Sequence, residues 1–205
     1  MNMWDKVFEA CRQEIERRLA CCDMQTPEDA VQAADKVFLI AIDGMCGSGK
    51  STVAGMLQEH YGCSLFHMDD FFLQPHQRTP ERLGQPGGNV DYERFREEVL
   101  EQLTDREGLE FRRFDCGKFS MEPAVHVPYN RMVIIEGAYS CHPYFGDVQD
   151  VRIFLESSRS GQLERILGRG GPEKLVRFKE IWIPMEEQYF ETFGIREKCF
   201  CVRVD

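Results

Sequence analysis

No apolar run in this chain approaches the roughly 20 residues needed to span a bilayer, and the N-terminus carries charge throughout instead of an apolar stretch with a cleavage site. A soluble cytoplasmic protein with no membrane partner is therefore expected. Basic residues are in deficit: 25 Lys and Arg against 35 Asp and Glu leave a formal net charge of -10. Tracking a nucleic-acid backbone requires clustered cations, so no nucleic-acid partner is expected. No CxxC pair occurs among the nine cysteines, and His60, His67, His76, His126 and His142 are scattered without metal-ligand spacing. The vicinal pair Cys21 and Cys22 and the close pair Cys199 and Cys201 read as small reduced thiols rather than a disulfide framework. Internal repeats and low-complexity tracts are absent too.

What is present is enough for one globular domain: 205 residues, 42% of them hydrophobic. Near the start, Trp4, Val7, Phe8, Cys11, Ile15 and Leu19 share one face of a helical pattern. Residues 1–36 are read as a helical extension packed on the core, with Thr26-Pro27 starting a second short helix; a dimer-forming role for the extension leaves a homo-oligomer open. The run VFLIAI at 37–42 has the length of a buried parallel strand. Short apolar runs follow at 64–68, 132–135, 151–155 and 199–204, most of them separated by helical patterns. Strand and helix in alternation predict an α/β fold, a sandwich around a mainly parallel sheet of five strands, over 37–205. Between them, 74–90 is rich in Pro and Gly and reads as a long loop, and Asp91 reads as the N-cap of a helix burying Phe95, Val99 and Leu103.

The strongest chemical signal is GMCGSGKS at 44–51, which fits GxxxxGK[ST] and stands after a buried strand and before a helical run at 52–60. Gly44, Gly47 and Gly49 let successive N–H groups, with those of Ser48, Lys50, Ser51 and Thr52, converge on phosphates at a helix N-terminus, where the dipole favours negative charge. Lys50 would reach the β and γ phosphates and Ser51 would offer its hydroxyl to Mg2+. Such a loop serves kinases, GTPases and ATPases alike, so the other strand ends must decide. Two of these end in acids: 64–68 runs into Asp69-Asp70 and 132–135 into Glu136. In a parallel sheet the C-terminal ends of strands share one edge, so Asp69, Glu136 and the loop should meet in one crevice. One carboxylate can accept a proton from an attacking hydroxyl while the other serves Mg2+. Taken alone, Asp69 and Asp70 read equally well as solvated acids at a strand end.

Together the segments GMCGSGKST, HMDDFF at 67–72, NVDYERF at 89–95, IIEG at 134–137 and SRSGQLERILGRGG at 158–171 make the chain resemble the uridine kinase and phosphoribulokinase family of P-loop kinases, which includes nicotinamide riboside kinases. The resemblance implies a three-layer α/β/α P-loop NTPase fold with a helical lid at about 157–172. It implies that Asp69 acts as catalytic base with Lys50, that Asp91 binds ribose hydroxyls, that Glu136 serves the metal, and that Arg165 and Arg169, with Arg159 the weaker candidate, clamp nucleotide phosphates. Arg112, Arg113 and Asp115 fall where such relatives position substrate, although surface placement suits them equally. Two departures stand out: Tyr92 takes the place of a His after the ribose-binding Asp, and EIWIPMEEQYF at 180–190 replaces the usual sequence from lid to strand. The implied activity is ATP- and Mg2+-dependent phosphorylation of a small-molecule hydroxyl, first a ribonucleoside such as uridine or cytidine, then nicotinamide riboside, pantothenate or another small alcohol. A P-loop nucleotide-binding regulator is the rival of another class, although no NKxD base-reading motif is present.

Overall fold

A computed structural model describes residues 2–21 and 36–205. Five strands make the central sheet: β1 (Phe38–Gly44), β2 (Ser64–His67), β5 (Met132–Glu136), β6 (Val151–Glu156) and β7 (Phe200–Arg203). Their order is β2-β5-β1-β6-β7, and every neighbouring pair is parallel. A parallel neighbour can be reached only by a crossover, and helices supply it on both faces. Among the described residues the helices are α1 (Met3–Cys21), α2 (Lys50–Tyr61), α3 (Pro80–Leu83), α4 (Tyr92–Glu98), α5 (Arg159–Arg177) and α6 (Ile183–Phe193). None of them is long and apolar enough to cross a membrane.

The period of two along β1 explains the layering. Phe38, Ile40 and Ile42 point to one face, where they pack with Val7, Cys11 and Ile15 of α1 and with Val53, Ala54 and Leu57 of α2. Leu39 and Ala41 point to the other, into a core of Phe66, Phe71, Phe95, Phe111, Tyr189 and Phe190. All seven residues of β1 are buried, as a central strand covered on both faces requires. This is the three-layer α/β/α architecture of P-loop NTPases.

Two expectations need correction, and one segment holds structure for which no expectation was stated. The segment around Arg112 and Arg113 is an antiparallel hairpin standing apart from the main sheet, β3 (Leu109–Asp115) with β4 (Ser120–Val127). Leu109, Phe111 and Phe114 are its buried side, and an irregularity between Arg112 and Phe114 resets the alternation. The loop at 74–90 is not bare: it holds a 3-10 turn at Pro75–Gln77 and helix α3, whose cap Thr79 accepts the Arg82 N–H. Arg82 ties this stretch down by donating to the carbonyls of Gly88 and Val90 and to Glu93. Helix α4 ends at Glu98, so Leu103 follows a separate 3-10 turn and is only half-buried.

Cys22, Thr26 and Pro27 lie outside the described residues. Cys21 is an exposed free thiol, and Cys199 faces Cys141 rather than Cys201, with 3.9 Å between the sulfurs.

Candidate active site

Strand β1 delivers the glycine-rich loop to the C-terminal edge of the sheet, and α2 begins on it at Lys50. Gly44 has φ +137°, and a Cβ there would lie 2.2 Å from the Leu155 carbonyl oxygen of β6, so only glycine lets the loop leave the sheet at this point. Gly49, at φ +85°, is the N-cap of α2, and a Cβ would meet the indole of Trp4 at 2.2 Å. Helix α1 therefore reaches the glycine-rich loop itself. Lys50 Nζ donates to the carbonyls of Gly44 (2.7 Å) and Met45 (3.0 Å), which holds its charge inside the loop. Ser48 is fully buried, and Thr52 lies exposed in the first turn of α2.

Beside the loop, the ends of β2 and β5 converge. Ser51 Oγ donates to Glu136 Oε1 at 3.0 Å, and His67 Nδ1 lies 2.5 Å from the same oxygen. The Glu136 carboxylate raises the His67 pKa, which favours the imidazolium at this pair. Asp69 stands in a 3-10 turn, Met68–Phe71, directly after β2. It opens onto the crevice, yet protein crowds it closely enough that loss of water holds its carboxyl above the usual range, against the attraction of Lys50. Burial also raises Asp70, opposed by Arg113, whose Nε is 3.4 Å from Asp70 Oδ2. Mg2+ takes oxygen ligands, one or two carboxylates with waters and substrate phosphates, and the Ser51 hydroxyl beside Glu136 fits that donor set. Among the described residues no group of three His, Cys, Asp or Glu side chains could hold a metal ion by itself.

The lid helix α5 lies down on the loop. Gln162 donates to the Cys46 carbonyl at 3.0 Å and Arg165 to the Gly47 carbonyl at 2.6 Å. Arg169 is exposed, and its charge acts on Asp69. Arg159 points elsewhere, pairing with Glu187 at 3.1 Å on the outer side of α6. The structure thus gathers Lys50, Ser51, Asp69, Glu136, Arg165 and Arg169 around one crevice and leaves Arg159 out.

Asp91 is a buried N-cap. It accepts the Arg94 N–H (3.2 Å) on one oxygen and the Gln77 amide (2.9 Å) on the other, with Arg94 Nε at 3.5 Å. Arg94 is itself buried and donates to the carbonyls of Asp70 and Arg112, so it links α4 to the Asp69 turn and to the hairpin. Arg112 pairs with Glu98 and Asp115 with Lys118, both on the surface of the hairpin.

Four residues of the site escaped the sequence reading: His67, Asp43, Glu186 and Tyr189. Asp43, the penultimate residue of β1, is fully buried and accepts from the N–H groups of Gly44 (2.7 Å), Tyr139 (3.3 Å) and Cys141 (3.0 Å) and from the Tyr189 hydroxyl (2.9 Å). Glu186 Oε2 accepts the Cys46 N–H at 2.8 Å. His67 sits inside HMDDFF and Asp43 directly before the glycine-rich loop, whereas Glu186 and Tyr189 belong to the 180–190 stretch, marked only as a departure, and approach from about 140 residues away.

No protein-family model matches the chain, and no curated protein sequence matches it significantly. Solved structures do match its fold. One titled as a possible uridine kinase from Bacillus stearothermophilus superposes with a TM-score of 0.61 at 19% identity, over 93% of this chain and 98% of that one. A candidate fructose transport system kinase from Silicibacter sp. TM1040 gives 0.65 at 22% identity, over 93% and 95%. The D-glycerate 3-kinase of Cryptococcus neoformans var. grubii gives 0.63 at 16% identity, over 100% and 96%. The likeness is one of fold.

Proposed function

We propose that this protein transfers the γ-phosphoryl group of ATP to a hydroxyl of a small molecule, with Mg2+ as cofactor. The observation that carries the reading is Asp69, a crowded carboxylate with a raised pKa, facing the same crevice as Lys50 and the Ser51–Glu136 pair. Phosphoryl transfer is mostly a matter of positioning and of neutralising spread negative charge. In this reading the loop N–H groups and Lys50 bind the nucleotide phosphates, with Arg165 and Arg169 contributed by the lid at about 157–172. Asp69 accepts the proton of the attacking hydroxyl, the oxygen takes the phosphoryl group, and ADP leaves. A pKa above the usual carboxylate range makes Asp69 a better proton acceptor than an ordinary solvated acid. Ser51 and Glu136 would hold Mg2+, which supplies charge neutralisation on the phosphates. His67 orients Glu136 through its short contact.

The first acceptor to test is a ribonucleoside, bound through Asp91. A second reading, a small alcohol without a ribose diol, is favoured by the state of Asp91, whose two oxygens already have Gln77 and Arg94 as partners. An ADP-release screen over nucleosides, vitamins, sugars and sugar acids, with Mg2+ present and absent, tests both. Stimulated ADP release by one hydroxyl compound is expected. Tight nucleotide binding without stimulation by any of them would turn the reading toward a P-loop regulator.

A further inference from the structure

The stretch EIWIPMEEQYF, which set the chain apart from the family it resembles, forms the end of a π turn (Phe178–Trp182) and helix α6, and α6 lands on the phosphate loop. Glu186 and Tyr189, three residues apart on one face, reach the loop together: the carboxylate takes the Cys46 N–H and the hydroxyl holds Asp43. Glu186 is 7% exposed. Around its carboxylate stand Lys50 from α2, which attracts it, Asp43 from β1, which repels it, and the un-ionised Cys46 thiol and Tyr139 hydroxyl. Helix α5 adds the uncharged Gln162 amide, bound to the Cys46 carbonyl, and farther along the loop Arg165, bound to the Gly47 carbonyl, while its Arg159 pairs with Glu187 next to Glu186.

A carboxylate on this loop is held by one of the loop's own N–H groups and attracted by the same lysine that would attract a phosphate. A bound polyphosphate would face it at close range in a water-poor setting, where like charges repel strongly. One way out is to take a proton, which removes the repulsion and leaves an O–H that can donate to a phosphate oxygen. We propose that Glu186 is a positioning residue of the phosphate loop, which holds the Cys46 N–H as a carboxylate and takes up one proton when nucleotide phosphates bind. Burial supplies the readiness: it pushes the carboxyl up to about 7, against the pull of Lys50 and the Cys46 N–H.

The inference rests on the nucleotide reading above, and the test separates the two. The Mg2+ complex of the non-hydrolysable ATP analogue AMP-PNP is titrated into wild type and Glu186→Gln by calorimetry, in buffers of different ionisation enthalpy and from pH 6 to 8. The ligand's own ionisation is common to both proteins, so their difference isolates Glu186. Wild type should take up about 0.7 proton more than the variant at pH 7.5 and lose about tenfold more affinity between pH 6 and 8, as linkage to a group titrating near 7 requires. Equal uptake and parallel pH curves would overturn the role of Glu186 while leaving the nucleotide site standing. Absence of binding in both proteins would overturn both. Should the variant not fold, the difference infrared spectrum of wild type decides: a protonated-carboxyl band must appear on adding the analogue, and its absence rejects the inference.

Discussion

Replacing Asp43 by Asn exchanges one oxygen for an amide nitrogen at the buried end of β1 and leaves the shape almost unchanged. The aspartate accepts from all four of its partners: Oδ1 takes the N–H groups of Gly44 and Tyr139, and Oδ2 takes the Cys141 N–H and the Tyr189 hydroxyl. An asparagine can serve Gly44 and Tyr139 through its oxygen, but its NH2 then confronts the Cys141 N–H donor against donor and turns the Tyr189 hydroxyl from donor into acceptor. One hydrogen bond to a charged group, worth about 1.5–3 kcal/mol, is lost and that of Tyr189 is weakened, and part of the loss is returned because a buried charge is no longer present. That return is real here, since burial already pushes the Asp43 carboxyl above the usual range despite the Cys141 and Gly44 N–H groups and Lys50. The expected net loss is about 2 kcal/mol, or a fall in Tm of roughly 4–8 °C for a domain of this size. Urea unfolding followed by circular dichroism, with a thermal scan beside it, measures both. A loss below about 1 kcal/mol would refute the argument, because it would mean that the four donors do not depend on a carboxylate.

The other predictions concern the crevice. Lys50→Ala should abolish turnover while costing little stability, since Nζ bonds only the carbonyls of Gly44 and Met45; near-normal ADP release would remove the phosphate loop from the mechanism. Asp69→Asn should lower kcat by about a hundredfold to ten-thousandfold with ATP affinity little changed, and Asp70→Asn, which loses only a half-exposed pair with Arg113, should do much less; the reverse order would make Asp70 the base. Asp91→Ala should cost roughly 2 kcal/mol, from a lost helix cap and a weakened contact with buried Arg94. A ribonucleoside acceptor further predicts at least about a tenfold preference for the ribo over the deoxy compound that this variant flattens; an unchanged ratio removes Asp91 from the acceptor site.

The sequence by itself determined the sheet and the loop, because both are local patterns. A run of alternating and continuous apolar residues names β1 whatever surrounds it, and a GxxxxGKS turn needs its glycines for reasons of backbone geometry alone, as Gly44 against Leu155 illustrates. The acids after β2 and β5 could be placed beside that loop because a parallel sheet has one carboxyl edge, so topology did the work of distance. The β3–β4 hairpin is marked in the sequence only by Leu109 and Phe111 alternating with Glu110 and Arg112, a pattern that the irregularity before Phe114 cuts short. What only the tertiary structure decided is which long-range partners meet the loop. Trp4 on Gly49, Tyr189 on Asp43 and Glu186 on Cys46 join segments about 45 to 146 positions apart. Burial of a polar side chain is a property of the packed fold, and so an Asp at a strand end or a Glu on a helix looks solvated until the elements that cover it are in place. Asp91 could be read as a helix cap from the sequence, but the engagement of its second oxygen could not, because Gln77 reaches it only once the 74–90 segment folds back over α4.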